Sequence, residues 1–205
     1  MGAAPTPDVQ FTDITQAAGI DFKHESSATS NKYLVETMGG GVALLDYDND
    51  GRLDIFFTNG AKIDDPMPDD KLPEKADRKF WNRLYHQNPD GTFTDVTEKA
   101  GLTGMPQNHY DMGVAVGDYD NDGFEDIYVT GFGGNTLYHN NGNGTFTDVT
   151  KGAGVAAGRS RSPAPPFAST GCHPMRLLWP WRTDWPGCRH PRYDGSCGRP
   201  TAPHR

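Results

Sequence analysis

Cysteine is missing from the first 171 positions; Cys172, Cys188 and Cys197 all fall in the last fifth of a 205-residue chain. The body of the chain therefore has no disulfide framework. No apolar run approaches the roughly 18 residues that a membrane span needs. The opening MGAAPTPDVQ lacks the basic and apolar regions of a secretory signal. Basic residues are also scarce: the first 155 positions hold 11 Lys and Arg against 25 Asp and Glu. A formal net charge of −8 argues against binding a nucleic-acid backbone, which needs a basic face. Hydrophobic residues reach only 35%, with 25 Gly and 16 Pro. That mixture suits a turn-rich all-β chain better than a helical bundle.

The composition changes abruptly near residue 156. The last fifty residues hold eight Arg, no Lys, nine Pro, three of the four Trp, no Ile and no Val. They show neither a two-residue nor a 3.6-residue apolar period, and few β-branched residues from which to build strands. An out-of-frame or otherwise aberrant segment explains this stretch better than a functional tail. Cys172-His173, Cys188-x-His190 and Cys197 match no familiar zinc-finger spacing. The Trp179-Pro180-Trp181 and Trp185 cluster is equally well explained by composition.

What the first three-quarters contain is a repeat. GVALLDYDNDGRLDIFFT from Gly41 returns 72 residues later as GVAVGDYDNDGFEDIYVT from Gly113. NRLYHQNPDGTFTDVTEKAGL from Asn82 returns 53 residues later as NTLYHNNGNGTFTDVTKGAGV. The first copy thus carries a 19-residue insertion, roughly its Asp/Pro/Lys-rich stretch from Ile63 to Trp81. A partial copy, VQFTDITQAAGI, opens at Val9. Each full unit reads as four short strands, in the second copy about 113–118, 126–131, 136–140 and 145–150. NGNG and NPDG supply hairpin turns, since Asn and Gly tolerate the positive φ that tight turns require. TEKAGL and TKGAGV read as connectors of one helical turn.

A four-stranded antiparallel repeat of about 50 residues is the signature of a propeller blade. The expected fold is all-β: a partial β-propeller of four-stranded antiparallel blades followed by an irregular tail. It divides into an N-terminal strand and linker (1–40), a blade with the insertion (41–112), a second blade (113–155) and the tail (156–205). A β-sandwich of duplicated hairpins is the alternative.

The repeated loops carry the chemistry. Asp46, Asp48, Asp50 and Asp54 occupy the first, third, fifth and ninth positions of one; Asp118, Asp120, Asp122 and Asp126 do so in the other. Hard cations such as Ca²⁺ take six to eight oxygen ligands in a flexible shell. Alternating Asp in a tight loop aims three carboxylates at one centre, and the carbonyl of Arg52 or Phe124 can add another oxygen. Asp54 or Asp126 then closes the shell. Without a cation the clustered carboxylates are expected to repel and raise one another's pKa. The competing reading is a solvated acidic turn. An EF-hand is excluded, because its twelfth position needs Glu, and here Phe57 and Val129 stand there inside strand-like runs. No His or Cys lies within the loops, which argues against transition metals.

These motifs resemble the FG-GAP/VCBS repeats of integrin α-chain propellers and secreted bacterial proteins. FTDITQAAGIDFKHESS together with KYLVETMGGGVALLDYDNDG more narrowly resembles the cartilage acidic protein (ASPIC/UnbV) family. That resemblance covers about residues 8–155. It implies a seven-bladed, Ca²⁺-stabilised propeller, usually exported and without established catalysis. It assigns metal-ligand roles to Asp46, Asp48, Asp50, Arg52, Asp54, Asp118, Asp120, Asp122, Phe124 and Asp126. Only two full units are present, and neither a third acidic loop nor the family's C-terminal segment follows.

Other candidates are weaker. Gly39-Gly40-Gly41 precedes a strand and so fits close backbone packing better than a phosphate cradle. His86 and His139 occupy equivalent positions, which favours a repeated packing role over catalysis. His24 and His109 belong to no recurring Ser/His/Asp or Cys/His constellation. Asn143-Gly144-Thr145 fits a glycosylation sequon, but the turn requires those residues anyway. The expected function is a non-enzymatic, Ca²⁺-binding interaction or adhesion module, extracellular or in the cell envelope, whose protein or glycan partner the sequence does not name. The alternative is a carbohydrate-binding or carbohydrate-active propeller whose ligand site lies on missing blades.

Overall fold

The computed structural model describes residues 9–68, 71–103 and 108–156. The expected tail, with its three Cys and its Trp cluster, lies outside them. Among the described residues eight strands follow one another: β1 (Val42–Leu45), β2 (Asp54–Phe57), β3 (Arg83–Gln87), β4 (Phe93–Asp95), β5 (Tyr110–Gly117), β6 (Asp126–Phe132), β7 (Gly134–Asn140) and β8 (Phe146–Asp148). They form two separate antiparallel meanders, β1-β2-β3-β4 and β5-β6-β7-β8. The helical elements among the described residues are two short 3₁₀ turns, Leu34–Thr37 and Arg78–Phe80. Among the described residues the fold is all-β, a partial propeller of two blades that do not close a ring.

Alternation along the strands explains how the blades stack. In β2, Asp54 and Phe56 are buried while Ile55 and Phe57 are half-buried. The buried face of the first blade, Leu45, Phe56 and Leu84, meets Ile127, Val129 and Tyr138 of the second in one apolar cluster. Burying each such side chain stabilises the pair by about 1.5–3 kcal/mol. The inner strands approach closely at Gly41. A Cβ there would lie 3.0 Å from the Met112 carbonyl oxygen and 3.1 Å from the Val114 nitrogen. This is the close backbone packing expected of the glycine run.

The second blade differs at its ends from the expected strands. β5 starts three residues earlier, at Tyr110, and β8 stops at Asp148. There Asp148 Oδ1 accepts from the amide and hydroxyl of Thr150 at 2.9 and 2.5 Å, which turns the chain. Asp95 and Thr97 repeat this turn after β4. The connectors then make the expected helical turn, with Ala100 and Ala153 amides donating to the carbonyls of Val96 and Val149.

The strand expected in residues 1–40 is not formed among residues 9–40. Phe11 matches Phe93 and Phe146, which open β4 and β8, but those strands pair with β3 and β7. Among the described residues no strand lies beside residues 11–13, and Phe11 is 97% exposed. The connector of this partial copy still docks as in a full repeat: the Phe93 amide donates to the Ala18 carbonyl, as the Phe146 amide does to Ala100.

The insertion in the first blade is anchored rather than solvated. Ile63 and Met67 join Tyr33, Tyr110 and Phe132 in a second apolar cluster. Lys75, also from the insertion, is almost wholly buried. Its Nζ donates to the Asn59 carbonyl (2.7 Å), Asn82 Oδ1 (2.9 Å) and Asp111 Oδ2 (2.7 Å). One cation thus ties the insertion, the first blade and the start of β5 together. Removing one partner of such a buried pair strands the other charge. We expect Lys75→Met to cost about 3–5 kcal/mol in urea denaturation. Lys75→Met combined with Asp111→Asn is expected to recover part of that loss.

Candidate metal centre

Each acidic loop joins the first two strands of its blade and is shaped by its own carboxylates. Asp46 Oδ1 and Oδ2 accept from the amides of Asp50 and Gly51, both at 2.9 Å. Asp118 accepts from Asp122 and Gly123 at 3.0 and 2.9 Å. Such folding back demands left-handed backbone, found at Asn49 (φ 57°) and Gly51 (φ 85°), and at Asn121 (φ 61°) and Gly123 (φ 91°). Asn and Gly are the residues that adopt it at least cost. The fifth-position Asp then accepts from the seventh-position amide, Asp50 from Arg52 and Asp122 from Phe124, both at 2.9 Å.

The ninth-position aspartates are buried struts. Asp54 accepts from the amides of Tyr47 (3.3 Å) and Gln87 (2.8 Å). Asp126 accepts from Tyr119 (3.0 Å) and Asn140 (2.8 Å). Each therefore pins the loop's second residue to the third strand of the blade.

Asp46, Asp48 and Asp50 bring ligand oxygens within 4.8 Å of one another, as do Asp118, Asp120 and Asp122. Asp54 and Asp126 instead join their third-position partners in second groups, Asp48–Asp54–His86 and Asp120–Asp126–His139. Arg52 and Phe124 meet the loops through their amides, and their side chains differ. The Arg52 guanidinium pairs with Asp50 Oδ2 and donates to the Gln87 carbonyl at 2.7 Å. Phe124 brings no charge to its loop.

No His lies within either loop, but His86 and His139 come beside the carboxylates from the third strand of each blade, while also packing edge-on to Tyr47 and Tyr119. β3 runs antiparallel to β2 with Ile55 opposite Tyr85, so the next residue, His86, comes beside Asp54. His86 Nδ1 stands 3.1 Å from Asp54 Oδ1 and 3.5 Å from Asp48 Oδ2. His139 Nδ1 is 3.3 Å from Asp126 Oδ1 and 3.3 Å from Asp120 Oδ2. The equivalence of the two histidines across the copies was the sequence signal for this placement.

Electrostatics also depart from simple mutual repulsion. Burial pushes the Asp54 carboxyl upward; the Gln87 and Tyr47 amides and His86 oppose that, and the charge of Asp48 adds a smaller upward push. Asp118 lies below the ordinary carboxylate range, chiefly through the Gly123 amide. Burial, followed by the charges of Asp48, Asp54 and Asp50, pushes the Tyr47 phenol up to about 12.

A family model described as an FG-GAP-like repeat matches residues 46–129 and 118–166, each match opening on an acidic loop. The chain belongs to the FG-GAP-like repeat family. No curated protein matches it. The FG-GAP-like repeats run from the loop after β1 through β8 and cover more than half of the chain. Among the described residues, no helix is long and apolar enough to cross a membrane.

The struts and the exposed loop carboxylates are separable. Asp126→Ala deprives two main-chain amides of their acceptor, each loss worth about 1–3 kcal/mol. We expect it to lower stability in chelator, whereas Asp122→Ala lowers it far less under the same conditions. Equal losses in urea denaturation would show that Asp126 is not a strut.

Proposed function

We propose that this chain is a Ca²⁺-binding FG-GAP-type propeller segment serving interaction or adhesion outside the cell or in the cell envelope, without catalysis. One observation carries the reading: the same three-carboxylate convergence stands at the same turn of both blades. The donors are hard oxygens, the set that suits Ca²⁺. The ion's role is to fix the loops, since a shell filled by protein oxygens leaves little room for activated water. Asp46, Asp48, Asp50 and Asp54, with the Arg52 carbonyl, hold one ion. Asp118, Asp120, Asp122 and Asp126, with the Phe124 carbonyl, hold the other.

Location follows from affinity. Extracellular Ca²⁺ modules bind at about 10⁻⁴–10⁻³ M, so such sites fill outside the cell and stay empty in the cytosol. The opening FTDIT and ETMGGGVALLDYDNDG resemble the cartilage acidic protein (ASPIC/UnbV) family, which supports a narrower membership as part of this reading. Its partner is a protein or a glycan.

Binding to the folded state stabilises it by mass action. With a Kd of about 1 mM, 10 mM Ca²⁺ adds ~1.4 kcal/mol per site, a Tm rise of about 3–6 °C. Asp50→Ala and Asp122→Ala are each expected to remove part of the rise. Identical melts in Ca²⁺ and in chelator would refute the proposal. The two sites are also unequal, because Arg52 competes for Asp50 and nothing charged replaces it at Phe124. Asp122→Ala is therefore expected to remove more of the gain than Asp50→Ala, and Arg52→Phe to strengthen the first site in calorimetric titration.

A further inference from the structure

Residues 11–15 carry the sequence of a fourth strand without the other three. Their FTDIT differs from FTDVT at Phe146 to Thr150 only in Ile for Val. The end of the strand is already shaped: Asp13 Oδ1 accepts from the Thr15 amide at 2.9 Å, as Asp95 does from Thr97 and Asp148 from Thr150. The connector behind it is formed too. The Ile20 amide donates to the Thr15 carbonyl, as Leu102 does to Thr97 and Val155 to Thr150. Only the strand itself is unburied. Phe11 is exposed where Phe146 is buried, and Ile14 is 60% exposed where its counterpart Val96 is 8%.

The first blade has a bare face to match. Val42 and Leu44 in β1 are 60% and 56% exposed. Their counterparts 72 residues later, Val114 and Val116, pack into the apolar cluster between the blades. The first blade therefore turns outward the same face that the second buries. What covers that face in the second blade is Leu45, Phe56 and Leu84 of the first. The repeat places Gly117, Tyr128 and Leu137 at the corresponding positions of the second blade. That blade already stands against the other side of its own first blade, so this surface can meet Val42 and Leu44 only in another copy.

We propose that copies of this chain join head to tail by strand exchange. Residues 11–14 of one copy pair with β7 of a second in place of its β8, which seats β5–β7 of the second copy on Val42 and Leu44 of the first. The register of β7 with β8 puts Phe11 opposite Asn140, Thr12 opposite His139 and Asp13 opposite Tyr138. The Asn141–Gly144 turn, with left-handed glycines at 142 and 144, opens to release β8. Because the two strands match, the exchange conserves the ladder of hydrogen bonds, and burial of the bare face is the surplus that drives it. A head-to-tail contact forms a ring when its rotation closes. Propellers close at about four to eight blades, which is about two to four copies of this chain.

The test is sedimentation velocity of the full chain over a wide range of concentration. Discrete species of about two to four times 22.4 kDa are expected, populated more as concentration rises. Thr12→Pro removes an amide that faces β7 in the exchanged strand. The Val149 amide donates to the Leu137 carbonyl, and Thr147, whose place Thr12 takes, points the same way two residues earlier. Leu44→Asp puts a charge on the bare face. Each substitution is expected to return the protein to a single copy. Both positions are exposed, so neither is expected to unfold that copy, which circular dichroism checks. A single copy at every concentration would overturn the proposal. An assembly that survives either substitution would overturn it too, since the contact would then lie on another surface. If Leu44→Asp unfolds the blade, Thr12→Pro decides alone, because residue 12 lies in no strand of the single copy.

Discussion

A carboxylate with no access to water and two main-chain amides on its oxygens is the constraint from which the rest of each blade follows. Asp54 and Asp126 occupy that position. Burying an ionised group is costly unless its hydrogen bonds are satisfied, and here the partners come from opposite sides: the loop it closes and the strand beyond it. The amide of Gln87 or Asn140 sets the register of the third strand, and the amide of Tyr47 or Tyr119 sets the exit angle of the loop. Once both are fixed, the first, third and fifth carboxylates of the loop have little choice but to converge. The histidine preceding Gln87 or Asn140 is delivered beside them by the same register.

Blade number, strand order and the acidic loops were legible in the sequence because they rest on local signals that occur twice. Asn-Gly turns, alternating apolar residues and the Asp-x-Asp-x-Asp-Gly pattern each act within ten residues, and duplication separates them from chance. The approach of the histidines to the loops was not legible for the opposite reason. His86 lies 32 residues beyond Asp54, with the insertion between them, and only the pairing of β2 with β3 joins them. FTDIT near the amino terminus failed as a strand because a strand is a relation between neighbours, and among the described residues none lies beside residues 11–13.

The insertion shows composition misleading in another way. A stretch rich in Asp, Pro and Lys looks like a solvated excursion, yet it contributes Ile63 and Met67 to a core and a buried ammonium to the joint between the blades. Lys75 satisfies three acceptors at once, the condition under which a lysine can be enclosed. The sequence could not reveal those acceptors, since Asn59, Asn82 and Asp111 come from three separated segments.

The two loops are also bonded to each other. Asn49 Nδ2 donates to the Gly123 carbonyl at 3.1 Å, and the Asp46 amide donates to Glu125 at 3.0 Å. Behind them, Asn140 Nδ2 donates to the Tyr47 carbonyl at 2.8 Å. These bonds cross from one blade to the next at the rim, where the apolar interface ends. Rotation of one blade against the other must therefore break polar contacts as well as slide hydrocarbon. Whatever stiffens either loop consequently also resists torsion between the two sheets.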